Sequence, residues 1–252
     1  FIHKASGIFS LERVKAELLY KLKTAAQVQV RRLSVSVNQG SAEEKDVAAP
    51  EHILSSRRSQ TFDHLFAIGT STGGPRALQT VLTALPKEFP HPILIVQHMP
   101  PKFTQSLARR LNHLAKIPVV EAVDGQLIEG GVAYLAPGGY HMEVVFQEPR
   151  EYRISLNQDN PRNGHRPSVD ALFESVMRLP KLKLHYILMT GMGSDGAKAM
   201  LAAKQKGAAS TIAEAAETCV VFGMPKAAIA LGCVDYVVPL ERIADKMLEV
   251  SR

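Results

Sequence analysis

ILMTGMGSDGAKAM occupies residues 187–200 and contains the most informative turn of this chain. Its first residues form a short apolar run typical of a buried strand, and its last residues continue as a helix. Between them, Gly191, Gly193 and Gly196 match the G-x-G-x-x-G spacing of a dinucleotide-binding turn. The stretch therefore predicts a strand, a tight turn and a helix, which together form the repeating unit of a parallel α/β sheet.

Asp195 argues against a nucleotide at this turn. It lies at the predicted start of the helix, where a bound pyrophosphate would accept hydrogen bonds from backbone N–H groups. Its negative charge would repel the phosphates and compete with them for the same donors. A dinucleotide-dependent enzyme remains an alternative that Asp195 disfavours, so we predict no cofactor and attribute the glycines to the tight turn itself.

The same alternation of strand and helix continues on both sides of this stretch. Strand-like apolar runs cover 64–69, 91–98, 117–122, 184–190 and 234–238, and helical spacing covers 75–85, 100–114, 168–179, 224–231 and 239–250. Three further runs, 132–137, 141–146 and 152–157, resemble an antiparallel meander with Gly138–Gly139 as one of its turns. We therefore predict an α/β fold, a doubly wound, mostly parallel sheet with helices on both faces and an antiparallel β insert.

Composition divides the chain into three regions. Residues 1–33 include an amphipathic helical pattern at 10–26, residues 34–60 are polar and aperiodic as in a flexible linker, and residues 61–252 form the main domain. The chain begins with Phe1, which suggests a fragment or a processed product. The two cysteines, Cys219 and Cys233, are too few for a disulfide scaffold and fit a reducing, cytoplasmic location.

Charge and hydropathy disfavour a nucleic-acid partner and a membrane-inserted or secreted protein. The net charge is +6, but residues 1–60 hold ten Lys/Arg against six Asp/Glu, which leaves only +2 for the main domain. With 6% aromatic residues and no Trp, this distribution disfavours nucleic-acid binding. No apolar run approaches the ~20 residues of a membrane span, and the first thirty residues lack the apolar core of a signal peptide, so neither membrane insertion nor secretion is predicted.

Three chemically useful side chains each follow a predicted strand. Ser71, His98 and Asp195 should meet at one edge of the sheet, because parallel strands end at the same edge. Taken singly, the serine could be a turn residue, the histidine a satisfied buried side chain and the aspartate a helix cap. Taken together, they supply a nucleophile, a base and an acid, which is the set of groups required for acyl transfer.

The turn around Ser71 gives a second indication of this chemistry. Residues 69–73 read GTSTG and match the G-x-S-x-G nucleophile elbow. However, the order Ser71, His98, Asp195 differs from the Ser, Asp/Glu, His order of α/β-hydrolases, so the elbow does not imply that fold. A zinc hydrolase is the chemical competitor, but the nine histidines show no HExxH or comparable spacing, so no metal is predicted.

Six ordered blocks of the main domain resemble the chemotaxis protein-glutamate methylesterase family, whose members are also receptor glutamine deamidases. The blocks are AIGTSTGGPRAL, IVQHMPPKFTQSLARRLN, AYLAPGGYHME, RPSVDALFESV, LMTGMGSDGAKAM and ETCVVFGMPKAAIALG. The resemblance implies that Ser71 is the nucleophile, His98 the base and Asp195 its partner. It also implies an oxyanion hole formed by the backbone N–H groups of Thr72 and Met192.

Two departures from the family pattern concern the neighbourhood of the site. Thr70 stands where alanine is usual, and IAEA at 212–215 stands where IAQD is expected. The contacts of Glu214 and Ala215 are therefore not predictable from the resemblance.

The resemblance also implies a biological setting. The expected substrate is the cytoplasmic region of methyl-accepting chemoreceptors, and FIHKA at residues 1–5 resembles the end of a phospho-receiver domain. A histidine kinase would act through that receiver, most of which is missing here. We therefore expect activity independent of small phosphodonors. The alternative of a different class is a non-catalytic receptor-binding module with a relic triad, which a reactive-serine probe would distinguish.

Overall fold

The computed structural model describes residues 62–252. The predicted receiver remnant and helix within residues 1–33, and the predicted linker at 34–60, lie outside the described residues and stay predictions.

Seven strands form one parallel sheet: β1 (His64–Thr70), β2 (Ile93–Gln97), β3 (Val119–Glu121), β4 (Ala133–Leu135), β7 (Lys183–Leu188), β8 (Ser210–Glu214) and β9 (Tyr236–Val238). They are arranged in the order β3-β4-β2-β1-β7-β8-β9. Two further strands, β5 (His141–Gln147) and β6 (Glu151–Asn157), form a separate antiparallel pair. The predicted mostly parallel sheet with an antiparallel insert is confirmed.

Helices cover both faces of the sheet: α1 (Gly74–Ala84), α2 (Phe103–Leu114), α3 (Val169–Val176), α4 (Ala197–Gln205), α5 (Met224–Ala230) and α6 (Ile243–Val250), the last preceded by a 3-10 turn at Leu240–Arg242. Alternate residues of β1 reach the two faces. Phe66 and Ile68 belong to the core beneath α1, α2 and α6, whereas Leu65 and Ala67 belong to the core beneath α3, α4 and α5. The central strand is therefore buried on both sides, as its uninterrupted apolar sequence predicts.

One strand pairing predicted from the sequence is wrong, and one strand was missed. Residues 132–137 were expected to begin an antiparallel meander, but β4 pairs in parallel with β2 and β3. The turn at Gly138–Gly139 leaves the main sheet for the separate β5–β6 pair instead of closing a hairpin on β4. Strand β8 was not predicted, because its sequence STIAE is small and mixed although all five residues are buried.

The order of the strands locates a crevice. The chain first builds outward from β1 to β2 on one side, and later returns to place β7 on the other side of β1. Loops after β1 and β7 diverge at this reversal, which is where ligands bind in open α/β sheets. Within residues 62–252, every helix is too short or too polar to cross a membrane.

Candidate active site

Strand register brings Ser71 and His98 side by side. Thr70, the last residue of β1, pairs with Gln97, the last residue of β2. The His98 N–H donates to the Thr70 carbonyl at 3.1 Å. The amide Nε2 of Gln97 donates to the carbonyls of both Ser71 and His98, each at 3.0 Å. The two residues that follow the strands are thus fixed to each other through their backbones.

The glycine turn of residues 191–196 contacts Ser71 from the β7 side. The Ser71 N–H donates to the Thr190 carbonyl at 3.0 Å. A Cβ on Gly191 would lie 2.8 Å from the Ser71 Cβ and would collide with the Met224 sulfur, so only glycine allows this approach. Gly196, with φ of 88°, provides the left-handed residue from which α4 starts. The G-x-G-x-x-G spacing therefore serves the approach of a serine.

His98 and Asp195 form a buried hydrogen-bonded pair. Their Nε2 and Oδ2 atoms are 2.8 Å apart, and the side chains are only 6% and 2% exposed. The other imidazole nitrogen, Nδ1, is buried and has no hydrogen-bond partner among the described residues. Ser71 and His98 both line a pocket of about 350 Å³, although the structure records no hydrogen bond between the serine hydroxyl and the imidazole. The structure thus brings all three predicted residues together and leaves one imidazole nitrogen unoccupied.

The Asp195 carboxylate lies at the N-terminus of α3. It accepts from the backbone N–H of Val169 at 2.7 Å and from that of Asp170 at 3.2 Å, and from the Ser168 hydroxyl at 2.9 Å. Burial alone would raise the pKa of Asp195, but the His98 and Val169 donors outweigh it and hold that pKa well below its usual range. The carboxylate therefore stays ionised beside the imidazole.

Asp170 and Asn163 complete this network. Asp170 accepts from the N–H groups of Gly196 at 3.0 Å and Ala199 at 3.2 Å. The Asn163 amide donates to Asp170 at 2.8 Å and to Asp195 at 3.1 Å, so one side chain bridges two carboxylates. Burial, followed by the neighbouring Asp195 charge, raises the pKa of Asp170.

His165 covers the imidazole of His98. Its ring stacks on that of His98 with centroids 3.7 Å apart and an interplanar angle of 11°. It also lines the pocket that contains Ser71. Burial, followed by the proximity of His98, lowers the pKa of His165, which favours a neutral ring in the stack. Sequence reasoning missed this residue, because nothing in the spacing of a single histidine points to a partner 67 positions earlier.

Asn163 and Asp170 were missed for a related reason. The S-x-D pattern at the start of α3 predicts a helix cap, and Ser168 is indeed the N-cap residue. It gives no sign that the same turn receives a carboxylate from the loop that precedes a different helix.

The expected oxyanion donors, the backbone N–H groups of Thr72 and Met192, lie near Ser71 and are not used in other hydrogen bonds within residues 62–252. Thr72 follows Ser71 directly, and Met192 follows Gly191, whose Cα adjoins Ser71. Neither backbone N–H donates a hydrogen bond within the part of the chain that the structure describes. Both residues are exposed, Met192 to 71% of its surface. Among residues 62–252, no group of three or more His, Cys, Asp or Glu side chains is placed to hold a metal ion.

Comparison with known proteins bears on this arrangement. Residues 66–247 match the family model described as CheB methylesterase. The chain is 47% identical over 251 residues to a protein-glutamate methylesterase/protein-glutamine glutaminase of Halalkalibacterium halodurans, covering 98% of this chain and 68% of the relative. It is 44% identical to the protein of the same name from Geobacillus kaustophilus, covering 99% and 70% respectively.

A solved structure is also similar. The crystal structure of the CheB methylesterase catalytic domain of Thermotoga maritima superposes with a TM-score of 0.73 at 42% identity. The match covers 75% of this chain and all of that domain. At 42% identity, the two proteins are similar in sequence as well as in fold.

Proposed function

Because the chain belongs to the CheB methylesterase family, we propose that it is a serine hydrolase that demethylates glutamyl methyl esters on chemoreceptors. The single observation that carries the proposal is the imidazole of His98, bonded at Nε2 to a buried carboxylate 2.8 Å away while Nδ1 is left without a partner. An imidazole fixed in this way can accept a proton at the free nitrogen. Ser71, in the same pocket, is the proton donor available to it.

In the first half of the reaction, Nδ1 of His98 takes the proton from the Ser71 hydroxyl as Oγ attacks the ester carbonyl carbon of the methylated glutamate. The carbonyl oxygen becomes negative and accepts from the backbone N–H groups of Thr72 and Met192. Collapse of this intermediate breaks the bond to the methoxy group. Methanol leaves with the proton returned by His98, and an acyl-serine remains.

In the second half, water repeats the sequence. His98 accepts a proton from the attacking water, the second tetrahedral intermediate forms, and its collapse returns the proton to Ser71 and frees the glutamate. Asp195 fixes the imidazole so that Nε2 carries the hydrogen, and its charge stabilises the imidazolium that forms in each half. Its lowered pKa keeps that charge in place.

The same groups can deamidate glutamine. The amide carbonyl is attacked as the ester is, and the leaving group is ammonia, protonated by His98, instead of methanol. The curated relatives carry both activities in their names. We place both activities in the cytoplasm, on the cytoplasmic region of the receptors, in keeping with the two free cysteines at 219 and 233.

A relic triad in a non-catalytic binding module is not favoured. The curated relatives at 44–47% identity are named as methylesterases and glutaminases, and this chain has Ser71, His98 and Asp195 together, with His98 bonded to Asp195 at 2.8 Å.

Methanol release from methylated receptor membranes tests the proposal. Ser71→Ala should reduce kcat by about 10⁴–10⁶-fold, whereas Ser106→Ala, an exposed serine of α2, should leave it unchanged. Wild-type protein that releases no methanol, or a Ser71 variant of near-normal rate, would contradict the proposed function.

A further inference from the structure

A second cleft of about 260 Å³ adjoins the loop that follows β1 and contains Ser71. Its lining includes Gly73 and Thr190 but neither Ser71 nor His98, so it is separate from the pocket of the proposed reaction. Besides Thr190, its polar side chains are Arg76, Thr80, Glu214, Glu217, Thr218 and Glu241. Nothing in the proposed mechanism uses these groups.

Glu214 is the unusual member of this cleft because it is fully buried. One carboxyl oxygen, Oε2, accepts from the Thr190 N–H at 2.8 Å, and the other, Oε1, has no hydrogen-bond partner among the described residues. The Thr218 hydroxyl and the Cys219 thiol lie close enough to Glu214 to oppose the effect of burial on its pKa. Their hydrogen bonds, however, go to the Ala215 carbonyl at 3.2 Å and the Glu214 backbone carbonyl at 3.9 Å, and not to Oε1. Burial raises the pKa of Glu214. A buried carboxyl oxygen without a donor is costly, so the cleft lacks one hydrogen-bond donor.

The charge of the lining indicates what kind of donor is missing. Glu217 and Glu241 are exposed carboxylates, and Arg76 is the cation on the same lining. None of these three side chains forms an ion pair within residues 62–252. The two exposed carboxylates therefore face one guanidinium, and this excess negative charge, counted without Glu214, favours a positively charged ligand.

The ligand is better described as an organic cation than as a metal ion. Within the described chain, these carboxylates are not grouped closely enough to hold a metal. Threonine hydroxyls and a single buried carboxyl oxygen suit a group with several N–H donors. A volume of 260 Å³ lies below the range of drug-sized ligand sites and fits one side chain or a small amine.

We propose that this cleft binds an alkylguanidinium or alkylammonium group, which donates to Glu214 Oε1 and is attracted by Glu217 and Glu241. The occupant would lie close to the nucleophile. Thr190, bonded to Glu214, donates its hydroxyl to the Thr72 carbonyl at 2.9 Å and accepts from the Ser71 N–H at 3.0 Å. Thr190 thus connects the cleft to the backbone N–H of Ser71 and to the carbonyl of the next residue, Thr72.

The test is a titration of wild-type protein with methylguanidinium chloride at pH 8, followed by backbone amide NMR. Tetramethylammonium at the same ionic strength is the control, because it has the charge but no N–H donor. We expect saturable shifts at Gly73, Thr190 and Thr218 with a Kd of about 1–10 mM, and none with the control.

Four charge variants test which side chains are responsible for binding. Glu214→Gln keeps an acceptor for Thr190 and should weaken binding at least ~5-fold, whereas Glu88→Gln, an exposed residue elsewhere, should not change it. Arg76→Ala removes the competing cation and should tighten binding. Should Glu214→Gln misfold, Glu217→Gln is the exposed substitute and should weaken binding as well. Absence of saturable shifts, equal shifts with tetramethylammonium, or equal affinities for Glu214→Gln and Glu88→Gln would overturn the site, whatever the esterase assay gives.

Kinetic measurements distinguish the two sources of the cation, and this part of the test rests on the proposed function. The Glu217→Gln/Glu241→Gln double variant is assayed on methylated receptor and on a small glutamyl methyl ester. A KM raised only for the receptor identifies a basic side chain of the protein substrate as the occupant. A KM unchanged for both, with probe binding lost, identifies a free amine.

Discussion

The Asp195 carboxylate lies at the N-terminus of α3, and the Asp170 carboxylate lies at the N-terminus of α4. Asp195, just before α4, accepts from the first N–H groups of α3, and Asp170, in the first turn of α3, accepts from Gly196 and Ala199 of α4. Each carboxylate thus occupies the favourable positive end of a helix macrodipole. The exchange locks α3 to α4 and fixes the aspartate that orients His98.

Asp195→Asn should lower kcat by roughly 10⁴-fold. The amide can present an N–H to Nε2 of His98, which favours the wrong tautomer and removes the charge that stabilises the imidazolium. Methanol release under saturating substrate measures the effect. A loss of less than tenfold would remove Asp195 from the proposed mechanism.

Asp170→Asn should act on stability more than on chemistry. It removes a charge that receives two backbone donors and the Asn163 amide, and we expect a loss of about 1–3 kcal/mol in the free energy of unfolding. Urea denaturation measures this loss, and kcat should fall far less than in Asp195→Asn. Equal kinetic losses in the two variants would mean that Asp170 takes part in the reaction itself.

The stack of His165 on His98 can be tested by substitutions that keep or remove a flat ring at position 165. His165→Phe keeps a flat ring over His98, whereas His165→Ala opens that face to water and loosens the ring. We expect the phenylalanine variant to retain most of the wild-type kcat and the alanine variant to lose about tenfold. The reverse order would show that a nitrogen of His165, not its ring, is what matters.

Sequence predicted the elements that carry strong local signals. The strand–turn–helix units around Ser71 and Asp195 were readable because an apolar run, a glycine turn and a helical period follow in order. The parallel position of β4 and the existence of β8 were not, since strands of three to five residues gain their stability from their neighbours and leave little periodic pattern.

The residues of the site divide in the same way, into those with a local sequence signal and those without one. Ser71, His98 and Asp195 could be inferred because each follows a strand, and strand ends of a parallel sheet converge. The contacts of Asn163 and Asp170 with the Asp195 turn depend on how α3 packs against α4, and the stack of His165 on His98 depends on the loop before α3. No local pattern encodes either one.

A buried histidine cluster at the opposite edge of the sheet should make stability dependent on pH. His64 Nδ1 lies 2.8 Å from His185 Nε2, and the His91 ring packs 4.7 Å from that of His64. Burial lowers the pKa of His91 to about 4 and that of His185 to about 3. The unfolded chain therefore binds more protons below pH 6.5, so stability is full above that pH and falls as the pH drops towards 4.

His91→Phe should flatten this dependence. One imidazole held neutral accounts for a loss of about 1.4 kcal/mol per pH unit, or about 2 kcal/mol between pH 6.5 and 5. Denaturation at both pH values gives the difference directly, and His113→Gln, an exposed histidine, is the control. An unchanged difference in His91→Phe would show that His91 titrates normally in the folded protein.

Covalent labelling of Ser71 tests the central claim most directly. Wild-type protein is treated with a fluorophosphonate, and the modified residue is identified by peptide mass spectrometry. The account predicts one adduct, on Ser71, formed at least ~100-fold more slowly in His98→Gln and unchanged in rate in Ser106→Ala. Protein that releases methanol yet carries no adduct on Ser71, or labels equally fast without His98, would contradict a serine nucleophile activated by that histidine.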